Sequence, residues 1–358
     1  LYEQKSLQSN GVNMNRCTAQ TKRKPSSPQE LIERLERRRL LSSVIASNLD
    51  APASLQIDAG QVYFTDNVGS SAVIKSVPSQ GGPLSTIVDL PAIYDSGAYR
   101  GIGAYSIDAD TISGEYGGYE SLNLFSAPKA GGAVTTLANV GGAHFLGATG
   151  GYVYFMQNFS EIDRMPLTGG ASTQLLTGYF ARSSAIDASA LYFVDYFTKN
   201  VFRLDLQTFA VATIFGGNNA EGSIFIDANN IYFNLAGNIE SVPKAGGVPT
   251  TLVSDGTATG YASDGTNVYF VDSVDEGIHK VPVVGGLTSL VASVAAGTQV
   301  TSIAVDDARI YWALAGASAN TGEILETSKQ VLSNPVLSFP DAGDAVSGTP
   351  HFSLSASD

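Results

Sequence analysis

Three histidines, His144, His279 and His351, and one cysteine, Cys17, are the chain's whole supply of side chains for proton transfer near neutral pH or for soft-metal binding. No paired His or Cys spacing suited to zinc occurs, and no glycine-rich loop precedes a helix to cradle phosphate. No Ser-His-Asp set can be assembled from spacing, although such triads are recognised by geometry rather than by order. His279 sits beside Lys280 in a strand and reads as an ordinary surface residue; His351 lies in the tail. His144 is the one to watch, because alignment of the internal repeats described below puts it where the other copies carry a small side chain, at the mouth of a central channel. The competing reading is a histidine that fills space left by a degenerate repeat.

What the chain does offer is tyrosine and arginine in its connections. The long segment 89–105 carries Tyr94, Tyr99 and Arg100, the next loop adds Tyr116 and Tyr119, and later connections contribute His144, Tyr179, Arg182 and Glu221. Aromatic and guanidinium groups bury much area at low entropic cost, so a set of them at one end of a rigid scaffold predicts a binding surface for a protein or a glycan. The bland reading is that these tyrosines cover sheet edges. A function from another class is an extracellular lyase or hydrolase acting on a saccharide or lactone, with His144, Tyr99 and Arg100 around an axial pocket. Asp66, Asp195, Asp272, Asp275 and Glu276 follow second strands and make a weak case for Ca2+, without a dense loop signature. No other cofactor is expected.

The scaffold follows from composition and period. Thirty-eight glycines, 16 tyrosines and 16 phenylalanines, with charged residues at only 15%, suit many short strands joined by tight turns. The first 42 residues carry nine Lys/Arg against four Asp/Glu, which leaves 11 and 29 for the rest of the chain. That acidic body would repel nucleic acid and anionic lipid, so neither is expected as a partner. With a single cysteine no internal disulfide can form. No apolar run long enough to span a membrane occurs, and the N-terminus lacks the apolar core of an ordinary signal peptide.

Repeats dominate the sequence. One unit runs from Ser54 to a turn aspartate, Asp58, then through Val62-Tyr63-Phe64-Thr65-Asp66 and Val73 to Pro78, and on to Gly81-Gly82 and the segment 84–88. The order returns at Asp187 with Tyr192-Phe193, at Asp227 with Tyr232-Phe233, at Asp264 with Tyr269-Phe270 and at Asp306 with Tyr311-Trp312. Tyr154-Phe155 marks a further copy, and Asp108 with Thr111 to Ser113 a degenerate one. Each unit is roughly 40 residues with four alternating segments, the period and strand count of a propeller blade. The expected fold is therefore an all-β propeller of seven four-stranded blades, with six as the alternative. Aspartate can cap the turn after the first strand, and Gly-Gly supplies positive φ for the hairpin between the third and fourth.

Four residues before the turn aspartate stand Ser54, Ala104, Ser183, Ser223, Gly260 and Ser302, with His144 in the third copy if Ala148 takes the aspartate's place. Small residues there suit innermost strands crowding a narrow channel, while Leu55, Tyr105, Phe145, Ile224, Tyr261 and Ile303 between them would pack between blades. Residues 43–47 resemble the fourth-strand segment 289–293, and the last unit lacks its own fourth strand. The N-terminal strand is therefore expected to complete the last blade and remove an exposed edge, with Val331 to Leu337 as its rival.

Two resemblances can be given. The repeats are similar to the YWTD-type propellers of the lipoprotein-receptor class and their bacterial relatives, on Tyr63-Phe64-Thr65-Asp66, Tyr192-Phe193-Val194-Asp195 and Tyr269-Phe270-Val271-Asp272. That resemblance covers about residues 43–330 and implies the propeller fold, usually with six blades; a receptor function is not carried over. The second is short: Leu35 to Ser42 resembles the Leu-Glu-Pro-Arg-x-Leu-Leu-Ser element near the N-terminus of large bacterial surface proteins, with Arg37 in the place of proline. It implies export to the cell surface or beyond and a start at Met14, with residues 1–13 as an upstream remnant. Its rival is a basic amphipathic helix, Pro28 to Leu41. The organisation expected is thus a basic segment, 1–42; a propeller, 43–330; and a linker or tail, 331–358, forming a monomer or part of a larger surface protein.

Overall fold

The computed structural model describes residues 42–66, 71–95, 98–117, 122–140, 144–216, 220–235, 238–254, 258–272, 274, 277–294, 298–316 and 318–329. The Leu35 to Ser42 element, Ser42 apart, lies outside them, as do the rival helix 28–41 and the tail from 330 onward. The propeller lies within the unit formed by residues 40–358.

Seven four-stranded antiparallel sheets form the seven blades of an all-β propeller, and an eighth sheet is a two-stranded hairpin. Blades one to six occupy residues 52–91, 102–139, 144–177, 181–215, 220–253 and 258–292, each with its strands paired in chain order. Blade seven comprises Gln299–Val305, Arg309–Ala315 and Gly322–Ser328, and its outer strand is the N-terminal Ser43–Leu49. Ser43 pairs with Glu326 and Leu49 with Gly322, so the first strand of the chain closes the last blade. Ile45, Ala46 and Leu49 are buried in the cluster that joins blade seven to blade one, which gives the closure an apolar anchor.

Burial explains why the repeat needs its aromatic pair. Phe64, Phe155, Phe193, Phe233, Phe270 and Trp312 of the second strands are essentially inaccessible, and each core cluster joins residues of neighbouring blades. Leu55, Phe145, Ile224 and Ile303 of the inner strands are buried too, while the small residues beside them serve as links. Ser302 Oγ accepts the Leu55 N–H at 2.9 Å, Ser183 Oγ accepts that of Ile224 at 3.0 Å, and Ser184 Oγ donates to the Leu146 carbonyl at 2.9 Å. A small hydroxyl at the inner wall thus bonds an adjacent blade's backbone where a bulge has freed it from the ladder.

The turns behave as their chemistry requires. Asp187 Oδ1 accepts the N–H groups of Ser189 and Ala190, and Asp227, Asp264 and Asp306 do the same for the residues two and three ahead of them. At the Gly-Gly hairpins, the first glycine donates to the proline carbonyl, as Gly81 does to Pro78 at 2.8 Å with a φ of 80°.

One register expectation is corrected. Thr149, not Ala148, takes the aspartate's place in blade three, because Thr149 pairs with Tyr152 as Asp58 pairs with Gln61. A bulge at Leu146 absorbs the extra residue, so His144 still stands opposite Met156 as Ser183 stands opposite Val194.

Candidate functional site

The first strand of each blade starts at the face of the ring where the second strand ends, so the connections between blades and the second-to-third loops share that face. Aspartates at the ends of second strands hold these loops together. Asp195 accepts the Phe180 N–H at 2.7 Å with one oxygen and both the N–H and hydroxyl of Thr198 at 2.8 Å with the other. Asp66 accepts the N–H groups of Asp50 and Ala51 and pairs with Lys75 Nζ at 2.6 Å, and Asp272 accepts from Val274 N–H at 2.8 Å. These carboxylates act as loop clamps rather than as free metal ligands. Among the described residues no group of three or more His, Cys, Asp or Glu could hold a metal; Asp275 and Glu276 lie outside them.

The Asp195 clamp organises an exposed aromatic patch where blades three and four meet. Phe159, in the second-to-third loop of blade three, stacks on Phe180 of the interblade connection at 6.2 Å and 11°. Phe180 packs on Tyr196 at 5.3 Å and edge-on to Phe197 at 5.9 Å, and those two pack on each other at 5.3 Å. Tyr196 N–H donates to the Phe180 carbonyl at 2.8 Å, which ties the two loops together. Phe197 is 73% exposed, Tyr196 44% and Phe159 40%. Two cations flank the rings, with Lys199 Nζ 4.6 Å and the Arg182 guanidinium 5.7 Å from the Tyr196 ring centre. Asn158, Phe159 and Lys199 have φ near +50 to +60°, a conformation that side chains beyond glycine and Asn rarely adopt and that places these residues at the loop tips.

The sequence-predicted residues fare unequally. Arg182 is exposed at this patch, and Tyr179 is half-buried beneath it, edge-on to Phe193 and Phe202 at 5.6 and 5.0 Å. Tyr116 is a correction: it is only 8% exposed and belongs to the core between blades one and two, edge-on to Phe125 at 6.1 Å. Its ring covers a sheet and does not project as a ligand contact. Tyr94 and Tyr99 pair across the hairpin formed by Ile93–Asp95 and Ala98–Arg100, but the side chains of Tyr94, Tyr99, Arg100 and Glu221, and the whole of Tyr119, lie outside the described residues. Phe159, Tyr196 and Phe197 were missed, although an aromatic pair directly after Asp195, where a polar turn is the rule, was a usable signal.

At the inner wall His144 is exposed, yet enclosed enough for desolvation to lower its pKa, which favours the neutral ring. The neighbouring Phe145 N–H donates to Glu115 Oε2 at 2.6 Å. Burial pushes the Glu115 carboxyl up to about 7, against the opposing pull of that N–H. Gly103 leaves room for it, since a Cβ there would stand 2.8 Å from Glu115 Oε1. No hydrogen bond joins Glu115 to the His144 ring among the described residues.

No known protein-family profile matches the chain. No curated protein matches it either. Among solved structures it is similar to YCF48 bound to D1 peptide, at 11% identity and a TM-score of 0.55 over 80% of this chain and 96% of that one. It is similar to BamB from Moraxella catarrhalis, at 13% identity and a TM-score of 0.51 over 81% and 98% of the two chains. A structure of the nidogen/laminin complex aligns at 15% identity and a TM-score of 0.47 over 62% and 89%. At these identities the likenesses to YCF48 and BamB establish the class, a seven-bladed β-propeller.

Proposed function

We propose that this propeller is a binding module, and that its ligand is a protein segment captured at the aromatic patch between blades three and four. The carrying observation is the cluster of Phe159, Phe180, Tyr196 and Phe197, held on clamped loops and open to solvent at Phe197. Single exposed apolar residues are ordinary, but contiguous aromatic surface on a rigid frame costs solubility and is the usual form of a hot spot. Phe197, the most exposed ring, packs edge-on to Phe180 and Tyr196 and so offers apolar bulk more than a flat platform for a sugar, which favours a peptide over a glycan. Arg182 and Lys199 add positive charge at the rim of an acidic body, so the peptide should carry acidic residues beside its apolar ones.

Catalysis is the weaker reading, because the buried Glu115 carboxyl is committed to a backbone N–H. The resemblance of Leu35 to Ser42 to a surface-protein element supports a place outside the cell or on its surface. The test is a peptide array of acidic-aromatic sequences probed with the full chain, beside a glycan array. Phe197→Ala and Tyr196→Ala should each weaken peptide capture at least tenfold with an unchanged melting temperature. Capture that survives both substitutions, or binding confined to the glycans, would overturn the proposal.

A further inference from the structure

Six of the seven first strands end at, or one residue before, an aspartate: Asp58, Asp108, Asp187, Asp227, Asp264 and Asp306. Beyond capping their turns, most of these carboxylates meet a cation or a hydroxyl. Lys129, Lys244 and Lys329 of the following blades pair with Asp58, Asp187 and Asp264, each at 2.6 Å. The hydroxyls of Tyr232, Tyr269 and Tyr311 donate to Asp227, Asp264 and Asp306 at 2.5, 2.9 and 2.8 Å. Blade three breaks both patterns. Thr149 stands five residues before Tyr154, where Asp227 stands before Tyr232, and blade four presents Leu206 where Lys244 follows the third strand of blade five.

A cation is nevertheless waiting there. Arg164 stands directly across the ladder from Tyr154, near enough for its charge to pull the Tyr154 pKa down against the rise that burial causes. The guanidinium is sandwiched between aromatic rings, 4.4 Å from the centre of Tyr152 and 4.8 Å from that of Phe209. Among the described residues Arg164 forms no ion pair, whereas Arg203 and Arg309 pair with Asp205 and Glu326, and its buried Nε has no hydrogen-bond partner. A cavity of about 460 Å³ opens beside it, lined by Thr149, Tyr152, Tyr154, Ser189 and Gln207 as well as Arg164. Asp205 also lines it, but that carboxylate is already matched by Arg203 and by the N–H groups of Gln207 and Thr208.

We propose that this cavity binds a small organic acid whose carboxylate takes the place of the absent aspartate side chain, against the Arg164 guanidinium and the Tyr154 hydroxyl. A fixed, ring-stacked arginine is suited to a planar carboxylate, and a partner anion is the group this junction lacks. Ser189 and Gln207 across the cavity suit hydroxyls on the body of the ligand, which makes a sugar acid the fitting class. The site lies on the turn face of the ring, opposite the aromatic patch, and is independent of it.

The test titrates the full chain with D-glucuronate, acetate, D-glucose and sulfate, followed by calorimetry and thermal shift. D-Glucuronate should bind saturably and raise the melting temperature, acetate should do so more weakly, and D-glucose should not. Thr149→Asp, which supplies the carboxylate from the chain itself, should raise the melting temperature without ligand and weaken D-glucuronate binding at least tenfold. Arg164→Met should weaken it as much, with Arg164→Lys as the milder variant if the first fails to fold. The proposal is overturned if no carboxylate binds, if sulfate binds as well as D-glucuronate and so marks an adventitious anion site only, or if Thr149→Asp binds D-glucuronate like the parent.

Discussion

Blades two and three both depart from the repeat, but only one of them fills the gap it leaves. In blade two Ser113 and Gly114 replace the Tyr-Phe pair, and Tyr105 and Phe125 move into the space, with Tyr105 sealing it by a 2.7 Å bond from its hydroxyl to the Ser54 carbonyl. A Cβ on Gly114 would stand 2.5 Å from the Ala104 carbonyl oxygen and 2.8 Å from Tyr105 Cβ. In blade three the aromatic pair is kept, but Thr149 and Leu206 withdraw the charged clasp found elsewhere and a cavity with an unpaired arginine remains. A departure compensated by neighbouring side chains is packing. One that leaves a buried donor unmatched and a volume open points to a ligand.

Restoring the repeat should therefore act in opposite directions in the two blades. The largest effect is expected for Gly114→Phe, which rebuilds the aromatic position where no room exists; urea unfolding should show a loss of about 3 kcal/mol or more. A variant as stable as the parent would mean that blade two is as loosely filled as blade three.

The second effect tests how blade two tolerates its buried acid. Glu115 has its pKa raised to about 7 in the folded chain, so the native state holds its proton more tightly than the unfolded one. That contribution is fully present below about pH 4.3 and is lost as pH rises through 7, by up to about 4 kcal/mol. Glu115→Gln should thus be more stable than the parent at pH 8 and nearly indistinguishable at pH 4. Parallel pH profiles for the two proteins would break that account.

The third concerns a junction where the clasp is intact. Burial alone would raise the Asp264 carboxyl, but Lys329, the N–H groups of Asn267 and Thr266 and the Tyr269 hydroxyl outweigh it and hold it at about 2. Its stabilisation is present above about pH 4 and fades as pH falls toward 2. Lys329→Met should cost about 2 kcal/mol at pH 7 and flatten the acid limb of the stability profile. Thr149, which takes the aspartate's place in blade three, carries no carboxylate and so adds no such limb of its own. The smallest effect is that of Thr149→Asp, a gain of about 1 kcal/mol from new bonds to Tyr154 and Arg164, read as a rise in melting temperature. A loss instead would place blade three with blade two, already filled by its own side chains.

Period, strand count, turn chemistry and the closing role of the N-terminal strand were all legible from residue order, because alternation, Asx caps and Gly-Gly hairpins are set within a few residues of chain. The seven copies could be counted, and residues 43–47 could be matched to the missing outer strand of blade seven, which the structure extends to Ser43–Leu49. Of the candidate surface, Arg182 and His144 were found exposed, but Tyr116 was not, since a loop-end tyrosine and a core tyrosine look alike until the neighbouring blade is in place.

Contacts between blades were decided by tertiary structure alone. Phe159 meets Phe180, which in turn meets Tyr196, only because loops from different blades are brought side by side, and Arg164 gains its sandwich from Phe209 of the next blade. Local sequence sets which strand a side chain belongs to and which way the strand alternates. Whether that side chain then meets a partner, a ring or an empty space depends on the rotation between sheets, which no stretch of residues encodes by itself.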